Sequence, residues 1–190
     1  MKKSQLVFLA AGLLFFAACK GSGSSADKKD SLSTSESQTK PVNGAADTNV
    51  VSTTQYQITK PEGWKKSERT AGKFTLLIIA GPKDGDFSPN MNVLADDMKG
   101  KTMAEYIDFN LKQMEAMKIQ NLKTEDIEAA GLKGKKLTYS YQYGGRDIAI
   151  NSYILPKDNT AYVLTASSLT SQVGKYQPLF ESAVQSFKLL

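Results

Sequence analysis

Residues 53–190 predict an α+β fold, an antiparallel β-sheet sandwiched by helices, and three observations carry that reading. Short apolar or alternating runs are cut off by Gly, Pro, Asn and Asp. Two longer segments repeat their apolar residues at helical spacing, and Gly144-Gly145 joins two alternating runs as a two-residue hairpin turn. The order is strands, one helix, a meander of strands and a closing helix, which lets helices cover an antiparallel sheet. About 140 residues is the commonest size for one domain with one core.

The elements follow in order. Tyr56 to Thr59 alternates as a short strand, and Pro61-Glu62-Gly63-Trp64 turns the chain. Phe74 to Ala80 is a dense apolar run, short enough for a strand buried on both faces. Residues 81–86 break it, and Asn90 to Ala95 returns as a strand with Met91, Val93 and Ala95 on one side. Thr102 and Glu105 form a capping box ahead of Met103, Ile107, Leu111, Met114 and Met117, so a helix is expected over Met103 to Met117. Thr124 to Glu128 and Lys135 to Tyr143 read as paired strands, with Arg146 to Leu155 following the Gly144-Gly145 turn. Pro156 to Asn159 turns into a strand over Thr160 to Ser167. The closing stripe Val173, Tyr176, Phe180, Val184 and Phe187 is helical, and Pro178 places the helix start near Gln177 with the proline in its first turn.

The first 18 residues read differently. Lys2 and Lys3, the apolar stretch Leu6 to Phe16 and the small pair Ala17-Ala18 have the order of a secretory signal. Eleven residues are too few for a membrane span, which needs ~20. The Cys that follows makes Phe16-Ala17-Ala18-Cys19 resemble the lipobox of bacterial lipoproteins. That resemblance implies cleavage between Ala18 and Cys19, a diacylglycerol on the thiol and an N-acyl chain on the new amino group. Three chains would hold the protein stably on a bilayer, which one chain does only marginally. Lys20, where Asp would mark retention under enterobacterial sorting, favours the outer membrane. From Lys20 to Val50 the chain is rich in Ser, Gly, Thr, Asp and Lys and too poor in apolar residues to fold. As a coil its 31 residues would span ~30 Å. The expected organisation is therefore a signal over 1–18, a lipidated Cys and tether over 19–52, and a globular domain over 53–190.

Composition narrows function by exclusion. With no histidine, the chain can build no Ser-His-Asp triad, Cys-His pair or imidazole metal site. The lone cysteine is given to lipid by this reading, which removes thiolate chemistry. Loss of residues 1–18 would leave 22 basic against 19 acidic side chains, interspersed along the chain, and such a pattern argues against a nucleic-acid partner.

The stretch Tyr56 to Trp64, the mid-domain helix, the Gly131 to Tyr143 strand pair, the Tyr162 to Ser167 strand and the closing Ser186-Phe187 are together similar to PsbP-like and DcrB-like proteins. The resemblance implies their α/β/α sandwich and an accessory role beside a membrane complex. Because no histidine is present, no imidazole metal site carries over, and nothing supports a photosystem role.

Several residues invite sharper readings. Trp64 could stack on a ligand but is better placed as a core anchor after Pro-x-Gly. Met91, Met98, Met103, Met114 and Met117 could bind Cu(I) in an envelope protein, although helical spacing favours packing. Asp84, Asp86, Asp96 and Asp97 could serve Ca²⁺ or acid/base chemistry, with solvated turn charges as the alternative. Lys133, Lys135 and Lys136, joined across the hairpin by Arg146, could meet an acidic partner or lipid headgroups, or form a solvated strand face. Tyr139, Tyr141 and Tyr143 share one face, as a groove floor or as core. The expectation is a lipid-anchored, non-enzymatic binding or accessory domain of a bacterial envelope. It has no catalytic, cofactor or metal residues, and its partners would be the membrane and an envelope complex. A small-molecule or metal carrier is the alternative, and behind it a hydrolase built without histidine.

Overall fold

A computed structural model of the chain describes residues 49–71, 74–114 and 117–190. The signal, the lipobox with Ala18 and Cys19, and nearly all of the tether lie outside the described residues. Ten strands and two helices follow in the order β1 (Val50–Ser52), β2 (Tyr56–Thr59), β3 (Lys65–Ala71), β4 (Phe74–Ala80), β5 (Asn90–Asp97), α1 (Met103–Met114), β6 (Gln120–Ala129), β7 (Leu132–Tyr143), β8 (Arg146–Lys157), β9 (Thr160–Leu169), α2 (Val173–Gln185) and β10 (Lys188–Leu189).

Seven strands form one antiparallel sheet in the order β3-β4-β5-β9-β8-β7-β6. The β6–β9 meander starts at the far edge and folds back strand by strand until β9 pairs with β5, so β9 ends up central. Covered on both faces, it is buried from Ala161 to Ser168. One face packs against α1, where Tyr106, Ile107 and Met114 meet Leu137, Tyr139, Ile148, Ile150 and Val163. The other face packs against α2 and a second sheet of order β1-β2-β10, where Phe180, Val184, Ile58 and Phe187 meet Leu77, Val93, Leu155 and Leu164. The result is the α+β sandwich that the sequence predicts, with a helix on each side of an antiparallel sheet.

The local signals act as expected at several points. The Thr102 hydroxyl accepts from the Glu105 N–H at 3.3 Å while Glu105 Oε2 accepts from the Thr102 N–H at 2.8 Å, the reciprocal bonds of a capping box. Gly144 and Gly145 both have positive φ, at 56° and 76°, which a two-residue primed turn requires at both positions. Trp64 is buried against Tyr176 and Phe180, with both rings edge-on to it, and so anchors the core.

Elsewhere the structure differs. β3 has no sequence signal, because KKSERTA is polar on both faces; β4 templates it as the sheet edge. The domain includes residues before Thr53, since β1 pairs with β2 and buries Val51. Pro156 lies within β8 and not in a turn. Its pairing with β7 has ended at Ile154, so the missing N–H interrupts no ladder on that side. α2 begins at Val173, four residues before Gln177, with Pro178 inside it. The carbonyl that Pro178 leaves without a donor is that of Gly174; both residues are exposed, so solvent can satisfy it. α1 is described only to Met114, short of Met117.

Candidate functional site

A concavity lies on the α2 side of the sheet, at the end where β2 begins. Its rim is the Thr53–Gln55 turn. The Thr53 hydroxyl accepts from the N–H groups of Gln55 and Tyr56 at 3.1 and 3.0 Å and donates to the Tyr56 carbonyl at 3.0 Å. One short polar side chain thus replaces the ladder bonds that this turn lacks. The Leu190 N–H donates to the Gln55 carbonyl at 2.9 Å, which pins the rim to the chain's end. The floor is formed by Glu68 of β3, Thr75 and Leu77 of β4, Ala95 to Asp97 of β5 and Thr160 of β9, enclosing about 660 Å³.

The cleft is negative. Among the described residues neither Glu68 nor Asp97 pairs with a cation; Asp97 Oδ1 instead accepts from Asn159 Nδ2 at 2.6 Å and the Lys99 N–H at 2.8 Å. Tyr56, only 5% exposed, packs its ring on Tyr162 and Phe187, and its hydroxyl makes no hydrogen bond among the described residues. Burial drives its phenol far above the ordinary value, and the Glu68 charge adds to that, which places the hydroxyl within the field of the cleft's carboxylate.

The four basic residues expected to form a partner surface do not come together. Lys133 and Lys135 share the α1-side face with Leu137, whereas Lys136 points to the opposite face. Lys136 reaches Glu181 of α2 at 3.2 Å and lies 5.4 Å above the Tyr153 ring. Lys135 pairs with Asp126 across the β6–β7 ladder at 2.6 Å, and Lys133 stands opposite Glu128. Arg146, at the far end of β7–β8, holds Asp86 at 2.6 Å.

The aspartates divide likewise. Asp84 accepts from Lys175 Nζ at 2.7 Å and the Tyr176 hydroxyl at 2.6 Å, and these bonds hold its carboxyl below the usual range. With Asp86 on Arg146, the 81–87 loop is fastened to α2 and to the β7–β8 hairpin. Asp97 is exposed, but Asp96 is not a solvated charge: it is buried beneath α1, accepts from the Tyr106 hydroxyl at 2.8 Å, and burial raises its carboxyl above the ordinary value. The methionines split as well, Met91 into the α2-side core and Met98 and Met114 into the α1-side core. Tyr139 and Tyr141 are core and only Tyr143 is exposed. Among the described residues no three Asp, Glu, Cys or His side chains gather as a metal site, and no helix is long and apolar enough to cross a membrane.

Sequence reasoning missed Glu68 because it missed β3, and it missed the rim because Thr53 and Gln55 act through backbone bonds. On the α1-side face it also missed Asn92 and Ser167, whose buried side-chain oxygens Asn92 Oδ1 and Ser167 Oγ have no partner among the described residues.

No protein-family model matches the chain, and no curated protein matches it. Solved structures do. The solution structure of the cyanobacterial PsbP protein CyanoP from Synechocystis superposes with a TM-score of 0.56 at 16% identity, over 80% of this chain and 98% of that one. PA94 from Pseudomonas aeruginosa, a protein of unknown function, gives 0.54 at 17% identity over 79% and 94%. LpqN from Mycobacterium tuberculosis, involved in cell envelope biogenesis, gives 0.50 at 13% identity over 80% and 90%. Likeness at this level of identity shows the fold, and the chain has the PsbP-like α+β fold.

Proposed function

We propose that this protein is a lipid-anchored component of a bacterial envelope whose folded domain acts as a non-enzymatic binding or accessory module beside a membrane complex. The observation that carries the proposal is Phe16-Ala17-Ala18-Cys19, the cysteine placed directly behind a short apolar stretch and a small pair. Acylation of Cys19 would hold the domain at a membrane surface, with the outer membrane favoured by Lys20. The involvement of LpqN in envelope biogenesis supports the reading, as does the PsbP-like fold that CyanoP shares. Within the domain the cleft beside Tyr56 is the natural recognition site, because the tether enters the fold at β1, just before the rim.

A second reading, a small-molecule carrier, is favoured by one observation: about 660 Å³ lies within the ~300–1,000 Å³ range of small-ligand sites.

Replacing Cys19 by Ser tests the anchor. The variant should carry no fatty-acid label and leave the membrane fraction on washing; normal membrane retention would refute the anchor. Crosslinking the native protein in its membrane then separates the two readings. A captured envelope protein supports the accessory role, and a co-purifying small molecule without protein partners supports the carrier.

A further inference from the structure

We infer that the cleft between the Thr53–Gln55 rim and strands β3, β4 and β5 is a binding site for a linear aliphatic polyamine. The inference rests on the carrier reading and on the geometry of the cleft, and it does not need the lipid anchor.

Charge is the first argument. In a chain of formal net charge +5, Asp84, Asp86, Asp108, Asp126 and Glu181 each hold a Lys or Arg within 3.2 Å. Glu68 and Asp97 hold none among the described residues; other surface acids also lack a cation, but these two line one cleft together. Two carboxylates without a cation facing one concavity are complementary to positive charge.

Spacing selects the shape of the ligand. Glu68 is level with Leu77 and, through it, with Val93, so Asp97 lies two strands across and four residues further along β5. With strands ~4.8 Å apart and ~3.3 Å per residue, the two Cα atoms are ~16 Å apart. One metal ion or one ammonium cannot bridge that span. A chain with an ammonium near each end can, and Leu77 and Ala95 offer its methylenes an apolar floor.

Hydrogen bonding completes the match. An ammonium carries only donors. The cleft offers the hydroxyl oxygens of Thr75 and Thr160 beside the two carboxylates. Tyr56, 5% exposed, also lines the cleft, and its hydroxyl has no hydrogen-bond partner among the described residues. A ligand amine can donate to that oxygen.

Titration calorimetry of the full chain with spermidine tests the proposal. Saturable one-site binding is expected, weakening as salt rises. The pair Glu68→Gln and Asp97→Asn should weaken it about tenfold or more, whereas Glu128→Gln, an exposed acid elsewhere, should leave it unchanged. Butylamine, with one ammonium, should bind far more weakly. An unaltered thermal midpoint of the double variant shows that it still folds, and should the double variant unfold, each single variant is read in its place. Absence of spermidine binding, binding unchanged by the cleft variants, or preference for a lysine-rich peptide over spermidine would each overturn the proposal.

Discussion

The Tyr106 hydroxyl donates a 2.8 Å hydrogen bond to Asp96 Oδ2 beneath α1, so the helix is fastened to the end of β5 through a buried carboxylate. Burial raises the Asp96 carboxyl above its ordinary value; the Tyr106 bond, Lys99 and the Asp97 N–H oppose that shift without cancelling it. The native state therefore binds this proton more tightly than the unfolded chain, whose Asp titrates near ~3.9. Stability from this group is complete below that pH and is lost as pH rises through the native value. Asp96→Asn keeps an oxygen for Tyr106 and removes the charge. It should raise the thermal midpoint at pH 7, by the equivalent of roughly 1 kcal/mol, with the gain over the native chain growing as pH rises from 4 to 7. A gain that stays constant with pH, or a variant less stable than the native chain at pH 7, would count against this account.

Gly134 is required by its neighbours. A Cβ there would meet the Ile154 carbonyl oxygen of the adjacent strand and come within 3.0 Å of Leu155 Cδ2. Backbone cannot move aside as a flexible side chain can, so Gly134→Ala should cost at least ~2–3 kcal/mol in urea unfolding. Gly174, in α2, has nothing within 4 Å of its would-be Cβ. Gly174→Ala should leave stability unchanged or raise it by up to ~1 kcal/mol.

What could be read from the sequence depended on whether a residue's role was local. The Thr102-Glu105 box, the Gly144-Gly145 turn and the two-sided burial of Leu76 to Ile79 follow from nearest neighbours and apolar pattern, and each is present. β3 was invisible because its existence depends on β4 alone, and Glu68 was lost with it. The start of α2 was misplaced because a helix-interior proline is costly in general, whereas this one lies on the solvent face. Alternation along β7 separates Lys136 from Lys133 and Lys135, so consecutive basic residues did not make one surface. Asp96 looked like a turn charge because nothing near it in sequence shows that α1 folds back over it.

The two lysine pairs of β7 should differ in worth although both are ion pairs. Lys135 meets an Asp126 side chain that is 86% exposed, and a pair in water contributes about 0–1 kcal/mol. Lys136 has a side chain only 12% exposed, contacts Glu181 and lies over Tyr153. Lys136→Ala should therefore lower the urea midpoint by the equivalent of ~1–2 kcal/mol, and Lys135→Ala by well under 1. Equal losses would show that the α2 contact of Lys136 adds nothing.

The boundary between tether and domain can be located by paired deletions. Residues 22–48 carry almost no large apolar side chains, so deleting them should leave the thermal midpoint nearly unchanged. Extending the deletion through Ser52 removes β1, whose Val51 is 1% exposed and pairs with Ile58, and takes away the Asn49 carbonyl that accepts from the Lys60 N–H at 2.7 Å. Burying one valine is worth roughly 1.5–3 kcal/mol, so the longer deletion should lower the midpoint by several degrees. A large drop from the shorter deletion would mean that the Ser- and Gly-rich segment packs on the domain. No drop from the longer one would mean that β1 is a loose flap, and the Tyr56 cleft would then lack a fixed rim.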